Sequence, residues 1–141
     1  MVHLASIIEN KIESLLFLDV VERVLIEETK NWHDARTHCQ SLNGQLMEAR
    51  TQEEYELAQE LVREVNAWLW FGGSDHGEEG TWVWASDGQR IEESDYVDFW
   101  GVDQPNFVTN DDDFLCLNPN PTLQKFYDCP ASRKKFFCTF P

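Results

Sequence analysis

Apolar residues recur at helical spacing in the first half of the chain and bunch into short runs in the second. Ser6 to Val21 predicts a helix: Ser6 and Glu9 make a capping-box pattern, and Ile8, Ile12, Leu15 and Leu16 fall on one face. Val24-Leu25-Ile26 predicts a short strand ending at Glu27-Glu28. Asn31 opens a second helix with Asp34 near its start, Trp32, Ala35, Cys39 and Leu42 as a buried stripe, and Asn43-Gly44 as its stop. After a brief extended piece at Gln45-Leu46-Met47, Thr51 and Glu54 cap a third helix, with Ala58, Leu61, Val62 and Val65 along one side.

From Trp68 the period changes. Trp68-Leu69-Trp70-Phe71-Gly72-Gly73 reads as a buried strand, Gly80-Thr81-Trp82-Val83-Trp84 as a second, and Ser86-Asp87-Gly88 as a turn. Between Gly88 and Asn110 there is little regular pattern, and a loop of that length inside a compact domain is usually functional or disordered. Phe114-Leu115-Cys116-Leu117, Lys125 to Cys129 and Lys135 to Phe140 predict three closing strands. Helices first and strands later make an α+β plan. His3-Leu4-Ala5-Ser6-Ile7 and Gln45-Leu46-Met47, each followed by an amphipathic helix, form a faint internal echo that two such helices produce by chance.

Composition narrows the partners. With 141 residues, 42% of them hydrophobic, the chain fits one domain with a sizeable core. A formal net charge of −15 argues against nucleic acid and anionic membrane, which both need a cationic face. No apolar run approaches the ~18–20 residues of a membrane span, so no membrane insertion is expected. Four cysteines, Cys39, Cys116, Cys129 and Cys138, allow three pairings and include no Cys-x-x-Cys. They read as two disulfides of an oxidising compartment, the alternative being four buried thiols in a reducing one. The N-terminus lacks the basic and apolar regions of a secretory signal, so an extracellular location is expected with the signal removed.

The candidate chemistry lies in Gln104-Pro105-Asn106, followed by Asn110-Asp111-Asp112-Asp113. An X-Pro bond accepts the cis form at a cost of about 0.5–1 kcal/mol, and a cis bond there would turn Gln104 and Asn106 to the same side of the loop. Paired amide oxygens with carboxylates nearby suit Ca²⁺, which takes about 6–8 oxygen ligands. Taken alone, the stretch also reads as an ordinary polar surface loop.

The ordered series from Val24 to Pro141 resembles the C-type lectin-like domain family in its short, two-disulfide form. The matching pieces are Glu28 to Arg36 leading into Cys39, Leu42-Asn43-Gly44-Gln45-Leu46, Trp68 to Gly73, Gly80 to Trp84, Gln104-Pro105-Asn106, and Cys116, Cys129 and Cys138. The resemblance implies a C-type lectin-like fold, two helices packed on small antiparallel sheets with a long irregular Ca²⁺-binding loop region. An extra N-terminal helix precedes it, giving an extension at 1–22 and a lectin-like domain at 23–141. It implies the pairs Cys39–Cys138 and Cys116–Cys129. It also implies that Gln104, Asn106, Asp112 or Asp113, and Asp128 hold a Ca²⁺ ion that a sugar's hydroxyls bind directly. Gln104, Asn106, Asp112 and Asp128 would then also hydrogen-bond the carbohydrate. A second Ca²⁺ site would use Asp75 and Glu79 with the remaining aspartate, the plain alternative for that pair being a solvated acidic turn.

Two departures stand out. Phe126-Tyr127-Asp128 occupies the place of the family's Trp-Asn-Asp, putting Tyr127 where an amide ligand is expected, and Phe107 stands where some members carry an auxiliary acid. Gln104-Pro105-Asn106 mixes the mannose-type and galactose-type patterns, so the sugar does not follow from it. The expected function is Ca²⁺-dependent carbohydrate binding. The rival is the same fold with a degenerate metal site and a protein or other non-sugar ligand. No enzyme activity is expected, because His3, His33, His38 and His76 form no nucleophile–base arrangement. The apolar stripe of residues 6–21 calls for burial, which self-association into a homo-oligomer would provide.

Overall fold

The computed structural model describes residues 21–75, 77–78, 80–92, 114–120, 126–130 and 132–141. The helix expected over Ser6 to Val21 falls outside them apart from Val21, which is not helical. The elements run β1 (Glu22–Lys30), α1 (Trp32–Ser41), β2 (Gln45–Leu46), α2 (Gln52–Val65), β3 (Leu69–Ser74), β4 (Val83–Trp84), β5 (Phe114–Leu117), β6 (Phe126–Cys129) and β7 (Lys134–Phe140).

Both described helices begin where a side chain can satisfy an orphan N–H. Asn31 accepts from the Asp34 amide and Thr51 from the Glu54 amide. The exit of α1 divides two tasks between neighbours. Asn43 takes the left-handed conformation at φ 64, whereas Gly44 is needed for space: a Cβ there would lie 2.5 Å from the Phe140 ring. Asn66 ends α2 in the same left-handed region.

The strands form one connected sheet, ordered β1-β7-β3-β5-β6, with β2 also on β7 and β4 also on β3. Every pairing is antiparallel except β3 with β7. Successive strand residues alternate between two buried clusters, as the pleat requires. Leu69, Phe71, Leu115, Leu117, Phe126 and Phe137 pack with Tyr55, Ala58 and Val62 of α2 and with Trp82, Trp84 and Ile91. Trp70, Phe114, Cys116, Phe136 and Cys138 pack with Trp32, Ala35 and Cys39 of α1. The buried indoles of Trp32 and Trp70 donate to the carbonyls of Phe71 (2.8 Å) and Lys30 (2.9 Å), so their apolar area is buried without an orphaned N–H.

The disulfides are Cys39–Cys138 and Cys116–Cys129, the pairing the resemblance implies. Their sequence separations of 99 and 13 residues correspond to about 4.7 and about 3 kcal/mol on the loop-entropy model. Several boundaries differ from expectation. Strand β1 is longer than Val24-Leu25-Ile26 because it pairs with β7 from Glu22 opposite Phe140 to Ile26 opposite Phe136 and, after a register shift, again at Lys30 opposite Lys134. The strand expected over Gly80 to Trp84 shrinks to Val83–Trp84, since only Trp84 and Val83 face Gly73 and Ser74. Trp68 stays outside β3 and is 38% exposed.

Candidate functional site

Strand order decides what can meet. Ser74 at the end of β3 pairs with Phe114 at the start of β5, and Phe114 pairs with Cys129 at the end of β6. Two neighbouring strand spacings of about 4.8 Å put Ser74 and Cys129 about 10 Å apart at one end of the sheet. Asp75 follows Ser74, Asp128 precedes Cys129, and Asp112-Asp113 directly precede Phe114 in sequence.

Asp75 is 1% exposed, so it is not part of a solvated turn. Its Oδ2 accepts the Gly80 amide at 3.1 Å and its carbonyl accepts the Glu78 amide at 3.2 Å, closing the turn around the carboxylate. Asp128 is 8% exposed and stands opposite Leu115. It shares its face of β6 with Phe126, the side on which Trp82, Trp84 and Ile91 pack. Tyr127 points the other way: it pairs with Cys116, packs on the Trp70 cluster, and meets Trp68 edge-on at 5.4 Å. The phenol at the expected amide position is therefore directed away from the Asp128 side.

Gln104, Asn106, Asp112, Asp113 and Glu79 lie outside the described residues. Among the described residues no three His, Cys, Asp or Glu side chains come together as a metal site. Of the histidines, His33 lies edge-on to Trp32 and Phe114, and His38 edge-on to Phe136, as packing groups do.

A polar cluster that the sequence did not announce sits beside this region. Glu48, 8% exposed, accepts the Ser86 amide and the Ser86 hydroxyl, each at 2.9 Å. Arg50 reaches Glu48 at 3.3 Å, Asp87 at 2.9 Å, the Ser86 hydroxyl at 3.2 Å, and Gln89. Burial pushes the Glu48 carboxyl above its ordinary value against the opposing Ser86 hydrogen bonds and Arg50. Asp87 is held below the usual carboxylate range by the Gln89 amide and by Arg50. The one sequence signal was a single carboxylate inside Leu46-Met47-Glu48-Ala49.

Comparison with known proteins agrees with this architecture. The family model for the lectin C-type domain matches residues 28–139. CD209 antigen from Pongo pygmaeus is 36% identical over 108 residues, 73% of this chain and 26% of that protein. The chain thus spans about a quarter of the length of that curated relative. Human lithostathine superposes with a TM-score of 0.70 at 26% identity, covering 85% of this chain and 83% of that one. The SPL-1–GlcNAc complex superposes with a TM-score of 0.68 over 85% of this chain and 87% of that one; at 20% identity it bears on the fold alone.

Proposed function

Since the chain belongs to the C-type lectin domain family, we propose that it is a carbohydrate-binding module holding sugar hydroxyls on a loop-bound Ca²⁺ ion. The observation that carries this reading is the convergence of Asp75, the entry to β5 and Asp128 at one end of the sheet. Asp128 would act with Gln104, Asn106 and Asp112 at the sugar-bearing ion, and Asp75 with Glu79 and Asp113 at an auxiliary one. Carboxylate and amide oxygens fit a hard cation, and the same oxygens accept protons from the hydroxyls that coordinate it. Bound Ca²⁺ would supply the coordination positions for two neighbouring hydroxyls. The module would comprise residues 23–141, act outside the cell, and carry residues 1–22 as a self-associating extension.

Calorimetric titration with Ca²⁺, repeated on Asp128→Asn, tests the ion. Wild type should bind with measurable heat and retain sugar-bearing resin in a chelator-reversible way. The variant should lose more than about tenfold in affinity, the scale on which even outer-shell changes act. Absence of heat at millimolar Ca²⁺ would refute the reading.

One observation favours a second reading, a degenerate site with a protein or other non-sugar ligand. Tyr127 is engaged with Trp68 on the far side of β6, so its side chain offers the ion no oxygen on the Asp128 side. Chelator-insensitive ligand binding would support it.

A further inference from the structure

We propose that Glu48 is a proton-operated latch which fastens the 85–89 turn to the segment leaving β2 more tightly as the solution is acidified. This does not depend on the calcium reading.

The geometry comes first. Glu48 leaves β2 with little solvent contact, beside a cleft of about 170 Å³ lined by Arg36, Gln40, Gln45, Ala85 and Ser86 among others. Two cations face it, and neither is its own. Arg50 lies closer to Asp87 (2.9 Å) than to Glu48 (3.3 Å). Arg36, across the cleft on α1, donates to the Ala85 carbonyl at 3.1 Å and sits over the Trp32 ring. The remaining charged neighbour is Glu54 on α2, which accepts the Arg50 amide at 2.8 Å. A buried carboxylate with a part share of one guanidinium pays for its desolvation incompletely.

The hydrogen bonds tolerate a proton. One Glu48 oxygen accepts the Ser86 amide and the other faces the Ser86 hydroxyl, which can either donate or accept. A neutral Glu48 keeps its carbonyl oxygen on the amide and turns its new O–H toward the serine oxygen. Only the Arg50 contact weakens, and that guanidinium retains Asp87 and Gln89.

Linkage gives the direction. Burial raises the Glu48 carboxyl, so the closed turn binds a proton more readily than an opened, hydrated one. Closure therefore gains as pH falls through the raised value toward the ordinary carboxylate value, and loses the gain as pH rises again. Asp87 works in the opposite sense: its carboxyl is lowered, so the Arg50–Asp87 tie persists above the ordinary range and fails as pH falls through the lowered value. The clamp is tightest between the two.

The test is hydrogen exchange of amides 84–89 at several pH values, corrected for intrinsic rates, with Glu48→Gln alongside. Wild-type protection should rise on acidification from neutral pH, by about tenfold for each unit separating the closed and open carboxyl values. Glu48→Gln copies the neutral acid; above the pH at which Asp87 takes up its proton its protection should not vary with pH, and its melting temperature should exceed wild type at pH 7.5 by a margin that closes on acidification. The Glu48 carboxyl ¹³C shift in wild type gives the same answer without mutation, titrating above the range of a free glutamate. Protection that falls or stays level on acidification, an ordinary titration, or a Glu48→Gln variant that responds to pH like wild type would each overturn the proposal.

Discussion

Around Cys39–Cys138 the side chains of Trp32, Trp70 and Phe136 are buried, and both indole N–H groups end on backbone carbonyls. Around Ser86 to Gln89 the chain is instead held by Glu48, Arg50 and Asp87 across a partly exposed surface. The first region depends on area removed from water and a covalent closure, neither of which changes with protonation. The second depends on a few charges, one of them a carboxyl that burial raises above its ordinary value. Both are tied to one sheet, the first through β7 and the second through β4.

Three variants break or sharpen this contrast. Replacing Cys39 and Cys138 together by serine should cost the frame most, about 4–5 kcal/mol on the loop-entropy model, read from urea midpoints without reductant. A loss under about 1 kcal/mol would mean that the frame holds by packing alone. Gly72 joins the two regions, its amide donating to Met47 at 2.8 Å and its carbonyl accepting Ala85 at 2.7 Å. A Cβ there would lie 2.9 Å from the Leu46 carbonyl oxygen and 3.0 Å from Glu48 Cγ. Gly72→Ala should cost about 1–3 kcal/mol as overpacking and should loosen the 85–89 turn in hydrogen exchange. The smallest effect belongs to Thr51→Ala, about 1 kcal/mol from the lost cap of α2, measured as a shift of the denaturation midpoint with unchanged slope.

Local chemistry was legible in the sequence, and distant pairing was not. Asn31 and Thr51 cap α1 and α2 as their side chains promise, because a cap is settled within three residues. Even so, the Glu54 carboxylate bonds the Arg50 amide rather than the Thr51 amide, a choice fixed by how the chain enters the helix. β1 runs past the Glu27-Glu28 pair that looks like a strand end, because an edge strand can carry them in an irregular stretch between its pairings at Ile26 and Lys30. Asp75 and Asp128 are singled out by the order of motifs, and strand pairing puts both at one end of the sheet. Glu48 lies just past the extended piece Gln45-Leu46-Met47 and carries no local signal of its own. Its importance depends on Ser86, 38 residues away, and no window along the chain brings the two together.

The registry of β1 on β7 has a mechanical corollary. Glu22 lies opposite Phe140, and two pairs further in Val24 lies opposite Cys138, itself bonded to Cys39. If tension were applied through flanking polypeptide, β1 would peel from β7 pair by pair, and the load would then pass across sulfur from Cys138 to Cys39. The 98 residues enclosed between them, which include both the Asp75–Asp128 end and the Glu48 clamp, lie off that force path. A module wired this way can sit within a pulled chain while the part of the fold enclosed by the disulfide carries none of the pull.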